Sequence, residues 1–248
     1  MRRAYVESSE PFDRALNLAL QWAGGDATIH APSTAIVDEN ELEQLGYPVT
    51  SPSSKSRFYA RPHGVVGTFL NLAETLEVER RGGVDGLVVV GAHGPSGFPG
   101  VSHHGPWVTA FSPAHLGGQV IAPIATAPAA LRAAVRGLTG IAVRNQGLLD
   151  QRERSRAVQA MRFLLQHGFP LDSDALMVEA LLNEWGGSGP EQLHGIAVAL
   201  NNGTKLKAAA GKLNPGHPSG VGRRQRTEGQ AAPWLRSYRH SRLEELPR

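Results

Sequence analysis

Residues 84–91 read Val-Asp-Gly-Leu-Val-Val-Val-Gly, and this stretch decides the fold class. Its four apolar residues at 87–90 follow one another without a polar residue between them, and a glycine stands on either side. An uninterrupted apolar run of this length is typical of a strand that is covered on both faces, as strands of parallel sheets are. We therefore predict a central strand over residues 84–91.

The residues before this strand alternate between helical and extended patterns. In residues 11–23, apolar side chains recur at i, i+3 and i+4 ahead of two glycines, which predicts a helix with a glycine stop. β-branched residues between a turn and a proline predict a short strand at 26–32. We further predict a brief helix at 40–45, a weak strand or loop at 49–54, a strand at 64–68 and a helix at 69–80.

Strand, helix and strand in alternation indicate a chain of α/β class. We predict an α/β domain over residues 1–145, built from a short, mostly parallel sheet with flanking helices. Towards its end, residues 128–136 predict a helix, because Pro128 suits a first helical position. Residues 140–143 fit either a last strand or the same helical region.

Helices alone are predicted after the α/β domain. Segments at 150–168, 173–185 and 190–202 begin at capping residues or proline and end at glycine. We predict that they form a small helical subdomain over residues 146–207.

The last part of the chain differs from the rest in charge. Residues 1–200 contain 15 Lys and Arg against 19 Asp and Glu, whereas residues 201–248 contain 10 against 3. After Lys207 the composition shifts to Ala, Gly, Pro, Ser, Arg and Gln, which bury too little apolar surface to offset the entropy of ordering. We predict a flexible basic tail over residues 208–248.

Cations and aromatic residues alternate along this tail. Flexible cations with aromatic rings suit contact with the phosphates and bases of nucleic acid. Two other interpretations stay open, because the tail could only solubilise the chain or could dock on the acidic surface of another protein. The predicted nucleic-acid-binding cations are Lys205, Lys207, Lys212, Arg223, Arg224, Arg226, Arg236 and Arg239, with Arg242 beyond them and Trp234 and Tyr238 among them.

The composition excludes several classes of site. The chain contains no cysteine, and hence no disulfide, thiolate zinc site or cysteine nucleophile, which predicts a cytoplasmic protein. After Arg2 and Arg3 the chain continues into Glu7 and Glu10 rather than an apolar run, so we predict no signal peptide. No apolar stretch is long enough to span a bilayer, so we predict no membrane partner.

Four of the ten histidines fall within residues 93–115, in and just beyond the Gly/Pro-rich loop that follows the central strand. In open α/β sheets, ligands bind beyond the carboxyl ends of the strands, where this loop is expected. Imidazoles are both metal ligands and acid–base groups, which favours a metal-assisted hydrolase or lyase. A surface loop with solvated histidines explains the same pattern. The candidate catalytic residues are His93, His103 and His104, with Asp85 or Asp38 as carboxylate partner.

Three further patterns favour structural roles. The hydroxyl-rich loop at 51–57, with residues 61–64, resembles an anion-binding loop but lacks the phosphate-binding Gly-x-x-x-x-Gly-Lys pattern. Asp172 and Asp174 flank a helix start, where carboxylates are expected as caps. The helix at 191–200 has no Lys or Arg, so we predict that it packs in a core rather than reads DNA.

The helix from residue 150 carries Arg152, Arg154 and Arg156 near its start and Arg162 further on. Cations near a helix start oppose the helix dipole slightly. These arginines therefore pair with carboxylates elsewhere, face an anionic partner or form a solvated face.

Two functions from different classes follow. The first is an accessory nucleic-acid-associated protein, in which an α/β scaffold attaches through its basic tail. The alternative is an enzyme, the metal-assisted hydrolase or lyase with its site in the His-rich loop. The patterns leave open whether the chain is an enzyme, and they identify no substrate, cofactor, metal or oligomeric state.

Overall fold

The computed structural model describes residues 1–53, 63–95, 103–142 and 151–208. Strands and helices alternate in the first half of the chain, and helices alone follow. The strands are β1 (Arg2–Glu7), β2 (Thr28–His30), β3 (Val49–Thr50), β4 (His63–Thr68), β5 (Val84–Ala92) and β6 (Ala114–Gly117). The helices are α1 (Phe12–Ala23), α2 (Thr34–Glu39), α3 (Leu72–Glu79), α4 (Gly105–Phe111), α5 (Ala129–Ala142), α6 (Gln151–Gln166), α7 (Ser173–Leu182) and α8 (Gly189–Asn201), with a short 3₁₀ helix at Leu42–Leu45.

The sheet is parallel throughout, with the strand order β3-β2-β4-β5-β1-β6. β5 lies between β4 and β1, so that Val88 stands opposite Val66 on one side and Ala4 on the other. Successive side chains of a strand point to opposite faces, and Val88 packs beneath α1 whereas Leu87 packs beneath α3 and α4. The predicted α/β class and the covered central strand are confirmed.

The connections between the strands run over opposite faces of the sheet. The chain passes from β1 to β2 and β3 through α1 and α2 on one face, and from β4 to β5 and β6 through α3 and α4 on the other. The chain therefore leaves β2 towards β3, on one side, and leaves the neighbouring strand β4 towards β5, on the other side. Such a switch point opens a crevice at the carboxyl ends of the strands.

The helices α5 to α8 surround a third core. Leu131, Met161, Leu176 and Leu193, one from each helix, are fully buried there. Although α5 falls within the predicted α/β domain, it packs with the later helices. The division into residues 1–145, 146–207 and 208–248 stays a prediction.

Helix α7 contributes to two cores at once. Leu176 and Ala180 pack among the helices, whereas Met177 and Leu181 belong to the core on the second face of the sheet, which α7 reaches by packing against α4 and its Trp107. A helix that lies between two layers has to be apolar on all sides, and residues 175–181 are all buried. α7 thereby joins the helices to the sheet.

Several elements differ from the sequence prediction. The patterns do not predict β1, α2, α4 or β6, and residues 140–142 continue α5 rather than form a strand. The helix predicted at 69–80 begins only at Leu72, because Asn71 caps it. The Asn71 side chain accepts the N–H of Glu74, and the Glu74 carboxylate accepts the N–H of Asn71, at 2.9 and 2.8 Å.

Glu79 links three elements of the sheet half. Its buried carboxylate accepts hydrogen bonds from Nε of Arg3 in β1, at 2.6 Å, and from Nε1 of Trp107 in α4, at 2.9 Å. We expect Glu79→Ala to lower the free energy of unfolding by about 2–4 kcal/mol, because both donors lose their partner. Urea unfolding measures the loss.

Glu77→Ala is the matched control on the same helix. Glu77 is mostly exposed and pairs only with Arg81 one turn away, so we expect a change of about 0.5 kcal/mol or less. Equal losses in the two variants would contradict the linking role of Glu79.

Candidate functional site

His93 and His104 meet at the carboxyl end of β5. The N–H of His104 donates to the His93 carbonyl at 2.8 Å, and the N–H of His93 donates to Nδ1 of His104 at 3.3 Å. Their rings meet edge to face, with centroids 5.4 Å apart. This reciprocal pair fastens the start of α4 to the end of the central strand.

The hydrogen bond to Nδ1 fixes the tautomer of His104. Because Nδ1 accepts a hydrogen bond, the ring proton lies on Nε2, which is buried without a partner of ordinary hydrogen-bond geometry among the described residues. Burial, together with the neighbouring His93, lowers the pKa of His104 to about 3, although the backbone of Leu70 opposes the shift. His104 is therefore neutral at physiological pH.

His103 points instead to a carboxylate on another part of the chain. Its Nε2 lies 3.3 Å from Oδ1 of Asp174, at the start of α7, and Nε2 of His194 in α8 lies 3.2 Å from the same oxygen. The two imidazole hydrogen bonds hold the pKa of Asp174 well below its usual range. Asp174 is thus an ionised carboxylate that joins the loop before α4 to α7 and α8.

The sequence prediction misses part of this cluster. It assigns Asp174 to helix capping, but the cap is Asp172, whose carboxylate accepts the N–H of Ala175 at 2.9 Å. It assigns His194 only to a packing helix. The two residues lie 71 and 91 positions from His103 in the sequence, so no local spacing indicates the cluster.

The hydrogen bonds of His103 bear on the predicted metal-assisted chemistry. The N–H of Gly105 donates to Nδ1 of His103 at 3.2 Å, which places the ring proton on Nε2, facing Asp174. This tautomer leaves no lone pair on Nε2 for a metal ion. Within the described ranges, no group of three or more His, Asp or Glu side chains is arranged to hold a metal.

The proposed carboxylate partners lie apart from the histidine loop. Asp85 is at the amino end of β5, whereas His93 follows the carboxyl end, and Asp38 is exposed on α2. His115 is exposed on β6, where its ring centroid lies 5.0 Å from that of Tyr5. The structure therefore brings His93 to His104 and His103 to Asp174, without joining Asp85 or Asp38 to either pair.

The start of α6 presents a basic face. Arg152 and Arg154 are exposed and Arg156 is half-buried. No carboxylate of a described residue lies within ion-pair distance of these three guanidinium groups. Pairing with carboxylates elsewhere, an anionic partner and a solvated face all stay predictions for these arginines.

Two of the predicted cations lie just beyond α8. Lys205 and Lys207 are exposed, and Arg162 of α6 donates to the backbone carbonyl of Leu206 between them. Most of the anion-binding loop at 51–57 and 61–64 lies outside the described residues. So do the remaining tail residues Lys212, Arg223, Arg224, Arg226, Trp234, Arg236, Tyr238, Arg239 and Arg242.

Comparison with known families concerns the helical half. Residues 127–216 match the model of a family described as a domain of unknown function, DUF1889. The match includes α5 to α8 and spans just over a third of the chain. No curated protein and no solved structure matches the chain. None of the helices in the described ranges is both long enough and apolar enough to cross a membrane.

The matched segment also differs in charge from what precedes it. Residues 1–126 contain 8 Lys and Arg against 12 Asp and Glu, whereas residues 127–216 contain 10 against 7. Residues 127–204 contain 7 against 7, so the excess of the matched segment comes from Lys205, Lys207 and Lys212, and the shift from acidic to basic begins after α8.

We expect stability to fall on mild acidification because of two buried histidines. Burial lowers the pKa of His30 to about 4 and that of His104 to about 3, whereas the unfolded chain binds these protons near pH 6.5. The unfolded state therefore takes up protons first, and the free energy of unfolding falls below pH 6.5. The slope for each histidine is about 1.4 kcal/mol per pH unit, down to its folded pKa.

Urea unfolding at a series of pH values tests this expectation. His104→Gln should flatten the slope, while His115→Gln, which removes an exposed imidazole, should leave it unchanged. A profile of the wild-type chain that stays level between about pH 6.5 and 4 would contradict it.

A second prediction concerns the Asp174 cluster. Asp174→Ala removes the acceptor of two imidazoles, and we expect it to lower the free energy of unfolding by about 1–2 kcal/mol. Asp172→Ala, which removes the neighbouring cap, should cost about 1 kcal/mol. The distinguishing measurement is ¹⁵N NMR of the rings: the His103 and His194 signals should shift in Asp174→Ala and not in Asp172→Ala. Unshifted signals in both variants would rule out the bridge.

Proposed function

We propose that the chain is an accessory nucleic-acid-associated protein that attaches through its basic tail and through a group of arginines on the helical half. The observation that carries this proposal is the group of arginines at the start of α6, which has no carboxylate partner among the described residues. This group, defined as Arg152, Arg154 and Arg156, is called the arginine face below.

The position of the arginine face favours an external anion. The amino end of a helix carries partial positive charge, so three cations in the first two turns are slightly destabilising by themselves. A phosphate group relieves this repulsion, and the planar guanidinium can bond it with two parallel hydrogen bonds.

The carboxylates of the helical half do little to neutralise this face. Glu153 and Glu179 are buried, and Glu179 lies 3.9 Å from Arg136. Asp174 is held by its two histidines, and Asp172 caps α7. Glu184 is exposed and Glu191 is half-buried, and within the described residues no ion pair joins either of them to the arginine face.

The segment that follows α8 adds further positive charge beside α6. The hydrogen bond from Arg162 to the Leu206 carbonyl holds Lys205 and Lys207 beside α6. The remaining cations of the tail follow from there in the sequence. A cationic surface that continues into a cationic segment can follow a phosphate backbone over several nucleotides.

Nucleic acid is favoured over an acidic protein by the residue types in the tail. Trp234 and Tyr238 stand among its arginines, and aromatic rings stack on bases but gain little from carboxylates. Stacking requires unpaired bases, so the proposal specifies single-stranded nucleic acid.

The test is the salt dependence of binding to a short labelled single-stranded oligonucleotide, measured by fluorescence anisotropy. We expect the affinity of the full chain to fall steeply between roughly 50 and 200 mM salt, because each phosphate contact releases a counterion. Each of Arg152→Gln, Arg154→Gln and Arg156→Gln should lower the salt slope by about one if the residue contacts phosphate.

Two matched controls sharpen this test. Arg14→Gln removes the same charge from the sheet half, where Arg14 pairs with Glu10, and should leave binding unchanged. A chain that lacks residues 208–248 should bind more weakly than the full chain and still respond to Arg152→Gln. Binding that does not depend on salt, or equal binding by the wild-type chain and all three arginine variants, contradicts the proposal.

A further inference from the structure

Two aromatic rings form a shelf at the carboxyl end of the sheet. Phe69 follows β4, Phe12 begins α1, and their rings stack with centroids 5.1 Å apart and planes inclined by 19°. Phe69 is 42% exposed and is the one aromatic residue among the exposed large hydrophobic side chains of the described ranges. We call this pair the Phe12–Phe69 shelf.

The backbone holds Phe69 in this exposed position. Its φ is +55°, in the left-handed region that bulky residues rarely adopt, and its N–H donates to the Val90 carbonyl at 3.0 Å. Below the ring is Gly91, with φ +82°, where an added Cβ would lie 3.4 Å from the Phe69 ring. Strained residues of this kind cluster at ligand sites, because folding alone does not favour them.

The location of the shelf also favours a ligand. Phe69 begins the connection from β4 to β5, which runs to the side opposite to the connection that follows the neighbouring strand β2. Ligands of open parallel sheets bind in the crevice at such a switch point. The shelf therefore lies where the fold itself provides a binding position.

The charges around the shelf select the kind of ligand. Glu7 stands opposite Ala92, next to Gly91; partial burial raises its pKa, but hydrogen bonds from Ser9, Gln119 and Ser8 outweigh this and lower the pKa to about 2. Glu10 lies in the loop before Phe12, and Asp13 lies in the first turn of α1. Glu10 pairs with Arg14. The excess of carboxylates repels phosphate groups and leaves uncharged ligands unaffected.

We propose that the Phe12–Phe69 shelf binds a planar, uncharged heteroaromatic ring of the nucleoside class, stacked on the exposed face of Phe69. Stacking on an aromatic side chain is available to any base. This site belongs to the sheet half and does not depend on the arginine face or on the proposed association with nucleic acid.

The test uses the full chain with adenosine as the probe and adenosine 5′-monophosphate as its charged counterpart, by saturation-transfer NMR and titration. We expect saturable binding of adenosine and weaker binding of the monophosphate. Phe69→Gly should weaken adenosine binding about tenfold or more, the loss expected for one base stacked on an aromatic ring.

Phe69→Gly also provides an internal control for folding. Glycine accepts a positive φ without strain, which offsets part of the packing lost against Phe12, so this variant should remain folded, as its thermal unfolding will show, while it loses the ligand. Phe12→Leu should weaken binding less, and Leu45→Ala, which removes an exposed apolar side chain on the 3₁₀ helix, should leave it unchanged. Absence of saturable adenosine binding to the wild-type chain, equal affinity in Phe69→Gly, or tighter binding of the monophosphate would each overturn the proposal.

Discussion

The buried helix α7 is the constraint on which the rest of the structure depends. Its residues 175–181 are enclosed on all sides, with Leu176 among the helices and Met177 against the sheet. A helix of this kind cannot be exposed on one face without a large loss of apolar burial, so the helices and the sheet are expected to fold and unfold together. We therefore expect the acidic sheet half and the helical half to behave as one body, on which the arginine face has a fixed position.

Much of the fold follows from short-range patterns. The apolar run of β5 predicts a covered central strand, and the glycine and proline signals predict α1, α6, α7 and α8 near their observed bounds. The elements that escape prediction have no such pattern. β1 begins with two arginines and shows only three buried residues, β6 is short and half-exposed, and α4 begins with Gly105 and Pro106, which are typical of loops.

The candidate site is less predictable, because its contacts join residues that are distant in sequence. Local enrichment in histidine indicates His93, His103 and His104, and all three take part in hydrogen bonds at the start of α4. It does not indicate that His103 meets Asp174, 71 positions away, nor that the amide of Gly105 sets the His103 tautomer. The sequence does not indicate the exposed ring of Phe69 either, because its spacing before Leu72 and Leu76 resembles the apolar face of a helix.

Hydrogen exchange tests most directly whether α7 makes the two halves one unit. The measurement compares amide protection in β5 and α8 for Leu176→Ala, which opens the helical core, and Met177→Ala, which opens the sheet core. The structure predicts that protection falls in both β5 and α8 in each variant, because a shared helix transmits either loss to both cores. Protection lost only in α8 for Leu176→Ala and only in β5 for Met177→Ala would contradict this account.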